Sequence, residues 1–149
     1  MRFECMYCSD CCFFTQEDKA PLLFEDELHR ISQLSRKKGF NLKFKEIKIL
    51  NIRMYRMLIK GYCPFLDRKT NLCTIHECKP LVCKMYPLLY NPITGQVLIS
   101  RECRWVDEIL NKGLKVDLSM FPNELYALKL IIKKIHNLEV TFEINDKEI

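Results

Sequence analysis

The segment "FECMYCSDCCFF", residues 3–14, contains four cysteines within eight positions, at Cys5, Cys8, Cys11 and Cys12. The first three follow the spacing C-x2-C-x2-C, and the last two are adjacent. No glycine or proline is present to shape turns in this segment, so metal coordination is a candidate for what orders it. We predict a small domain that is organised around a metal centre.

The length and composition favour one globular domain. A chain of 149 residues can bury a hydrophobic core without covalent cross-links. The sequence is 48% hydrophobic and 29% charged, which is usual for globular proteins. Nine cysteines are also an odd number, so complete disulfide pairing within one chain is impossible. The cysteines therefore need another explanation.

The expected compartment is the cytoplasm. The chain contains no signal-like apolar segment and no apolar run long enough to span a bilayer. Cytoplasmic thiols are usually reduced, and clustered cysteines there indicate metal binding or redox chemistry. Intracellular proteins of hyperthermophilic archaea are an exception, and the Ile- and Lys-rich composition leaves that origin open.

The formal charge of +5 gives no clear nucleic-acid signal. That value counts every cysteine as a neutral thiol, whereas metal-bound cysteines are thiolates. The short basic runs at 36–38 and 133–134 are typical of solvated helix faces. We therefore expect a metal ion or cluster as the partner, with room for an unidentified protein partner, and no membrane association.

The apolar pattern predicts an α+β fold with a few short strands. Helical spacing predicts three flanking helices, at about 24–38, 105–111 and 122–138. Strands are predicted near 52–60, 88–91 and 96–100, while the pattern over 40–51 is ambiguous. We divide the chain into a metal-binding domain, 1–104, and a helical extension, 105–149, packed on the same domain. The tail from Glu139 is predicted to form a strand or to fray.

A second cysteine region extends from residue 63 to residue 87. It adds Cys63, Cys73, Cys78 and Cys83, and Cys103 follows downstream. Thiolates are soft ligands that suit zinc, Cu(I) and iron–sulfur clusters. The triple N-terminal spacing with a remote Cys-Pro pair is compatible with a [4Fe–4S] cluster and equally with a four-cysteine zinc site.

The partition of ligands is open at this stage. Neighbouring side chains in extended backbone point to opposite sides, so we expect Cys11 and Cys12 not to bind one ion together. One partition places Cys12 with Cys73, Cys83 and Cys103 in a second centre. Two four-thiolate centres and one larger centre are both compatible with eight cysteines. His76 is an additional candidate zinc ligand because it lies close to Cys73 in sequence.

Three motifs resemble the YkgJ-like CxxCxxCC family, which is described as zinc- or iron-chelating. They are "CMYCSDCC" at 5–12, "GYCPFLD" at 61–67 and "CTIHECKPLVCKMYP" at 73–87. The resemblance extends from residue 3 to about 104. His76 stands where the family usually has Tyr, Lys79 and Lys84 stand where Arg is common, and Cys78 occupies a variable position. The resemblance implies eight metal ligands: Cys5, Cys8, Cys11, Cys12, Cys63, Cys73, Cys83 and Cys103.

Three classes of function follow from these observations. The leading one is a metal-binding protein that holds zinc or an iron–sulfur cluster, with a redox role in the cluster case. The second is an iron–sulfur enzyme related to flagellin lysine N-methylases, which carry a related cysteine motif. Its polar candidates are Asp10, Asp67, Glu77 and Tyr86, but no glycine-rich loop supports nucleotide binding. The third is a zinc-stabilised protein-interaction module. Whether the protein is an enzyme is undecided.

Overall fold

The computed structural model describes residues 1–142 and confirms the α+β class. Within this range the helices are α1 (Glu25–Lys37), α2 (Leu81–Met85), α3 (Arg104–Asn111) and α4 (Pro122–His136). Short 3-10 turns lie at Asp10–Cys12, Glu17–Lys19, His76–Cys78 and Leu118–Met120. No helix in the described part of the chain is long and apolar enough to span a membrane.

The strands form small antiparallel sheets. They are β1 (Phe13–Phe14), β2 (Leu22–Phe24), β3 (Phe44–Ile49), β4 (Ile52–Met57), β5 (Gly61–Tyr62), β6 (Leu66–Asp67), β7 (Leu72–Cys73), β8 (Leu88–Tyr90) and β9 (Val97–Ile99). One sheet has three strands in the order β2-β4-β3. The other strands pair as β1 with β5, β6 with β7, and β8 with β9.

The three-stranded sheet separates two hydrophobic cores. Successive side chains of a strand point to opposite faces. Phe24 of β2 and its partner Met54 of β4 therefore pack into the first core, together with residues of α2, α3 and α4. Leu23 and Met57 are directed into the second core, where Ile31 of α1 packs. Helices thus cover both faces of this sheet.

The boundaries of the predicted helices are close to the observed ones. Helix α1 ends before Gly39, whose φ of 86° fits the expected C-terminal cap. Helix α4 ends two residues earlier than predicted because Asn137 adopts a left-handed conformation, with φ of 54°. The ambiguous region contains β3, which joins β4 through Leu50 and Asn51, both with positive φ. That geometry is typical of a two-residue hairpin turn.

The first core draws on both parts of the chain that were assigned as separate units. Met85 and Leu88 lie in it with Leu128 and Ile131 of α4. The boundary between 1–104 and 105–149 stays a prediction. Residues 137–142 have no helix or strand, and the rest of the predicted tail lies outside the described residues.

A hydrogen bond ties the end of α4 to β8. The Tyr90 hydroxyl and His136 Nε2 are 2.7 Å apart in a partly buried position. We expect Tyr90→Phe to lower the free energy of unfolding by about 1 kcal/mol, because a typical intramolecular hydrogen bond contributes about that much. Tyr126→Phe is the matched control, since Tyr126 lies on α4 like His136 but is 67% exposed. Equal denaturation midpoints for the two variants would contradict the expected contribution.

Candidate metal centre

The N-terminal cysteine segment is anchored to the first core at its start. The Phe3 N–H donates to the Met120 carbonyl at 2.8 Å, and the Phe3 ring packs against Trp105 and Phe121, each with a centroid distance of 5.3 Å. Two non-glycine residues further along, Tyr7 and Ser9, adopt positive φ of 52° and 66°. The chain reverses there without glycine, before the 3-10 turn that carries Cys11 and Cys12.

Cys11 and Cys12 lie on a turn, and their sulfurs are 3.9 Å apart. The expectation that they point to opposite sides assumed extended backbone and is wrong for this turn. Two thiolates bound tetrahedrally to one zinc, with Zn–S bonds of about 2.3 Å, lie about 3.8 Å apart. The observed separation is therefore compatible with binding to a common ion. The contact with Cys12, followed by burial, raises the pKa of Cys11 well above its ordinary value.

Backbone pairing joins the two cysteine regions. Phe13 in β1 pairs with Tyr62 in β5, and the Cys63 N–H donates to the Cys12 carbonyl at 2.7 Å. Cys63 therefore lies directly beside the N-terminal turn. The fold therefore brings Cys63, the remote cysteine, close to the N-terminal segment that contains the C-x2-C-x2-C triplet.

The β6–β7 hairpin places Cys73 near Cys63. Leu66 is the register partner of Cys73, and the Leu66 N–H donates to the Cys63 carbonyl at 3.0 Å. Both cysteines also pack against the second core. The hairpin thus links Cys63 and Cys73, which are separated in sequence by the segment "DRKTN" at 67–71.

Cys83, on α2, completes a group of four thiols that lie within electrostatic range of one another. Burial raises the pKa of Cys83 well above its ordinary value, and the proximity of Cys63, Cys73 and Cys11 raises it further. Burial also raises the pKa of Cys63 to about 11, with added contributions from Cys73 and Cys11. Burial also raises the pKa of Cys73, and the proximity of Cys11 raises it further. Because charge interactions fade beyond about 10 Å, these four thiols share one neighbourhood.

Three of the remaining thiols, Cys5, Cys8 and Cys103, form a second group that also includes Cys11 as a neighbour. Cys103 is buried at the start of α3, and its pKa is raised by burial, by Cys8 and by Cys11. The pKa of Cys5 is raised by burial and then by Cys11 and Cys8. Cys11 is therefore the common neighbour of both groups.

An ion pair ties the start of α3 to the N-terminal cysteine turn. Arg104 Nη2 and Asp10 Oδ2 are 3.8 Å apart, and both side chains are about half exposed. Such exposed pairs contribute little to stability. Its location shows that Cys103, which precedes Arg104, and the N-terminal turn lie on the same side of the molecule.

Peptide N–H groups face the sulfurs of four cysteines. The Tyr7 N–H donates to Cys5 Sγ at 3.4 Å. Cys63, Cys73 and Cys103 each accept in the same way from the N–H of the residue two positions C-terminal, and this contact lowers the pKa of each cysteine. Hydrogen bonds to sulfur favour the thiolate, which is the form that binds metals. This donor chemistry fits a soft metal ion or an iron–sulfur cluster.

Lys79 supplies a positive charge to the thiol group. It lowers the pKa of Cys5, Cys11, Cys73 and Cys83 against the effect of burial. The sequence marked Lys79 only as a departure from the family pattern, and its proximity to four thiols requires the folded chain.

His76 is oriented toward Lys79. The Lys79 Nζ lies 3.4 Å from His76 Nδ1, and Lys79, followed by burial, lowers the pKa of His76. An ammonium only donates, so Nδ1 accepts in this pair. The Nδ1 atom of His76 therefore pairs with Lys79 rather than with a metal bound by the thiols.

The thiols are neighbours without forming a closed coordination sphere. Within residues 1–142, no three His, Cys, Asp or Glu side chains are arranged to hold a metal ion. All nine cysteines are free thiols, and Cys78 packs against the second core beside Cys73. Metal binding at this cluster therefore requires the sulfurs to move closer together.

Three of the polar candidates for catalysis have structural partners. Asp67 accepts from the Lys69 N–H at 2.9 Å, which is a turn contact. Asp10 is paired with Arg104. The Tyr86 hydroxyl lies 3.5 Å from Ser100 Oγ, and burial raises the pKa of Tyr86 to about 12.

A surface depression lies away from the thiols. Its volume is about 770 Å³, and its lining includes Phe24, Asn51 and Lys134 but no cysteine. It is formed by the start of α1, the β3–β4 turn and α4. It therefore offers no substrate space beside the sulfurs.

Comparison with known proteins places this cysteine arrangement in context. The CxxCxxCC family, described as "Putative zinc- or iron-chelating domain", matches residues 4–109. An uncharacterized protein of Methanocaldococcus jannaschii, MJ0661, is 26% identical over 105 residues. The alignment covers 66% of this chain and 51% of that protein, so the chain spans about half the length of the curated relative. No solved structure matches the chain.

Proposed function

The chain belongs to the CxxCxxCC family, and from that premise we propose that it binds zinc or an iron–sulfur cluster through clustered cysteine thiolates. The observation that carries the proposal is the backbone pairing that sets Cys63 beside the Cys11–Cys12 turn, with Cys73 and Cys83 within electrostatic range of both Cys11 and Cys63. These thiols come from the N-terminal turn, the residue that follows β5, the β6–β7 hairpin and α2, so only the folded chain assembles them. We place this role in the cytoplasm, where the thiols stay reduced.

One centre is assigned to Cys11, Cys63, Cys73 and Cys83. Their mutual proximity and the backbone contacts around Cys63 support this grouping. Cys12, whose sulfur lies 3.9 Å from that of Cys11, then enlarges this centre, or it joins Cys5, Cys8 and Cys103 in a second centre that adjoins the first at the Cys11–Cys12 turn. This partition differs from the one drawn from sequence, which separated Cys11 and Cys63 from Cys73 and Cys83. Zinc would stabilise the fold here, whereas an iron–sulfur cluster would add electron transfer.

Anaerobic purification followed by metal analysis and visible spectroscopy tests the proposal. A colourless protein with stoichiometric zinc supports the zinc version and rules out the cluster. A brown protein with bound iron and sulfide supports the cluster version. A protein that retains neither metal, and that takes up neither after reduction of all thiols, contradicts the proposal altogether.

An interaction module is the second candidate. The depression of about 770 Å³ contains no cysteine, and three of the four catalytic candidates already have structural partners. In that case the metal would serve to shape a protein surface. A redox-inactive, zinc-loaded protein whose zinc has four sulfur ligands, determined by X-ray absorption, would favour this role over catalysis.

A further inference from the structure

Glu27 is a buried carboxylate that connects two helices distant in sequence. It lies on α1 and is 3% exposed. Its Oε1 accepts from the Phe24 N–H at 3.0 Å, at the start of the same helix. Its Oε2 accepts from the Leu81 N–H at 2.9 Å, at the first residue of α2, 54 positions away.

Helix α2 depends on such an external contact. It has five residues, and a helix of this length is not stable on its own. The first N–H groups of any helix lack partners within the helix. A carboxylate satisfies one of them with a charge-assisted hydrogen bond and complements the helix dipole. Cys83 follows Leu81 by two residues, so the contact fixes the backbone that carries this thiol.

We propose that Glu27 is the positioning residue for Cys83, because its carboxylate holds α2 and thereby directs this thiol toward Cys63, Cys73 and Cys11. The role as a positioner of a metal ligand rests on the proposed function. The role as the anchor of α2 does not. Arg30, whose Nη2 is 3.7 Å from Oε2, is about half exposed, so its ion pair with Glu27 is weak compared with the two peptide hydrogen bonds.

Thiol labelling of the reduced, metal-free protein tests the anchor. Glu27→Gln retains the shape of the side chain but replaces one acceptor oxygen with a donor group, so one of the two N–H groups loses its partner. We expect the N-ethylmaleimide labelling rate of Cys83, relative to that of Cys103, to rise about tenfold, since hydrogen bonds to charged groups contribute at least that factor. Peptide mass spectrometry gives both rates from the same sample.

Two further variants separate local loosening from general destabilisation. Ile31→Val weakens the same helix in the second core without touching α2, and the labelling ratio should stay unchanged. Glu27→Asp retains the charge but is too short to reach both peptides, so the ratio should rise there as well. An unchanged ratio in both Glu27 variants, or uniformly faster labelling of every thiol, overturns the proposal.

Zinc affinity, measured by competition with a chromophoric chelator, tests the link to the metal. We expect Glu27→Gln to weaken zinc binding about 10- to 100-fold, the range usual for groups that orient a ligand, while Ile31→Val leaves it unchanged. Equal affinities for wild type and Glu27→Gln would overturn the positioning role and leave the proposed function intact. If the wild type binds neither zinc nor iron, the proposed function fails, and the labelling ratio still decides the anchor.

Discussion

Replacing Cys83 with serine is expected to abolish tight metal binding, whereas Cys78→Ser should leave it unchanged. Cys83 lies within electrostatic range of Cys63, Cys73 and Cys11, while Cys78 occupies a variable position in the family pattern and lies outside the assigned set. Loss of one thiolate from a four-thiolate site should weaken binding by more than about 100-fold, because even groups that only orient a ligand contribute about 10- to 100-fold.

Metal content after anaerobic purification and chelator competition measure this effect. Cys78→Ser is the matched control because it makes the same chemical change at a neighbouring half-buried cysteine. Equal losses in the two variants would show that thiol number, and not the assigned grouping, determines binding. Retention of metal by Cys83→Ser would remove this residue from the ligand set.

Phe121→Ala is expected to destabilise the fold by about 3 to 5 kcal/mol, the usual cost of truncating a buried phenylalanine. Phe121 is fully buried in the first core and packs against both Phe3 and Trp105. The cavity would also release the anchor of the N-terminal cysteine segment. Denaturant titration measures the change in the free energy of unfolding.

Tyr126→Ala provides the control for this variant. Tyr126 lies on α4 and is 67% exposed, so its truncation should change stability by less than about 0.5 kcal/mol. Similar effects at the two positions would contradict the assignment of Phe121 to the core. Loss of metal binding in Phe121→Ala at temperatures where the protein stays folded would further show that the Phe3 anchor supports the cysteine segment.

Helix positions were the most predictable part of the fold, because their signals are local. The apolar spacing in α1 and α4 and Gly39 after α1 act within a few residues. The β3–β4 hairpin was missed because its turn uses Leu50 and Asn51 in place of a glycine-containing pair. Helix α2 has too few residues to show a period, and its cap comes from Glu27, which is remote in sequence.

The same distinction applies to the candidate site. Cysteine spacing pointed to metal chemistry, and the family match supports zinc or iron chelation. The proximity of Cys11 to Cys63, Cys73 and Cys83 depends on β-pairing and on the packing of α2, which spacing alone does not encode. The Cys11–Cys12 geometry was misjudged for a local reason, since a 3-10 turn replaces the extended backbone that was assumed.

The thiol cluster lies at the junction between the two hydrophobic cores. Cys103 belongs to the first core, and Cys63 and Cys73 pack against the second. A ligand bound to sulfurs from both sides would make the two halves melt as a single cooperative unit, since regions that share few strong contacts open independently. Metal occupancy would then determine the cooperativity of unfolding as well as its midpoint. The cysteines would in this way couple the unfolding of the two cores on either side of the three-stranded sheet.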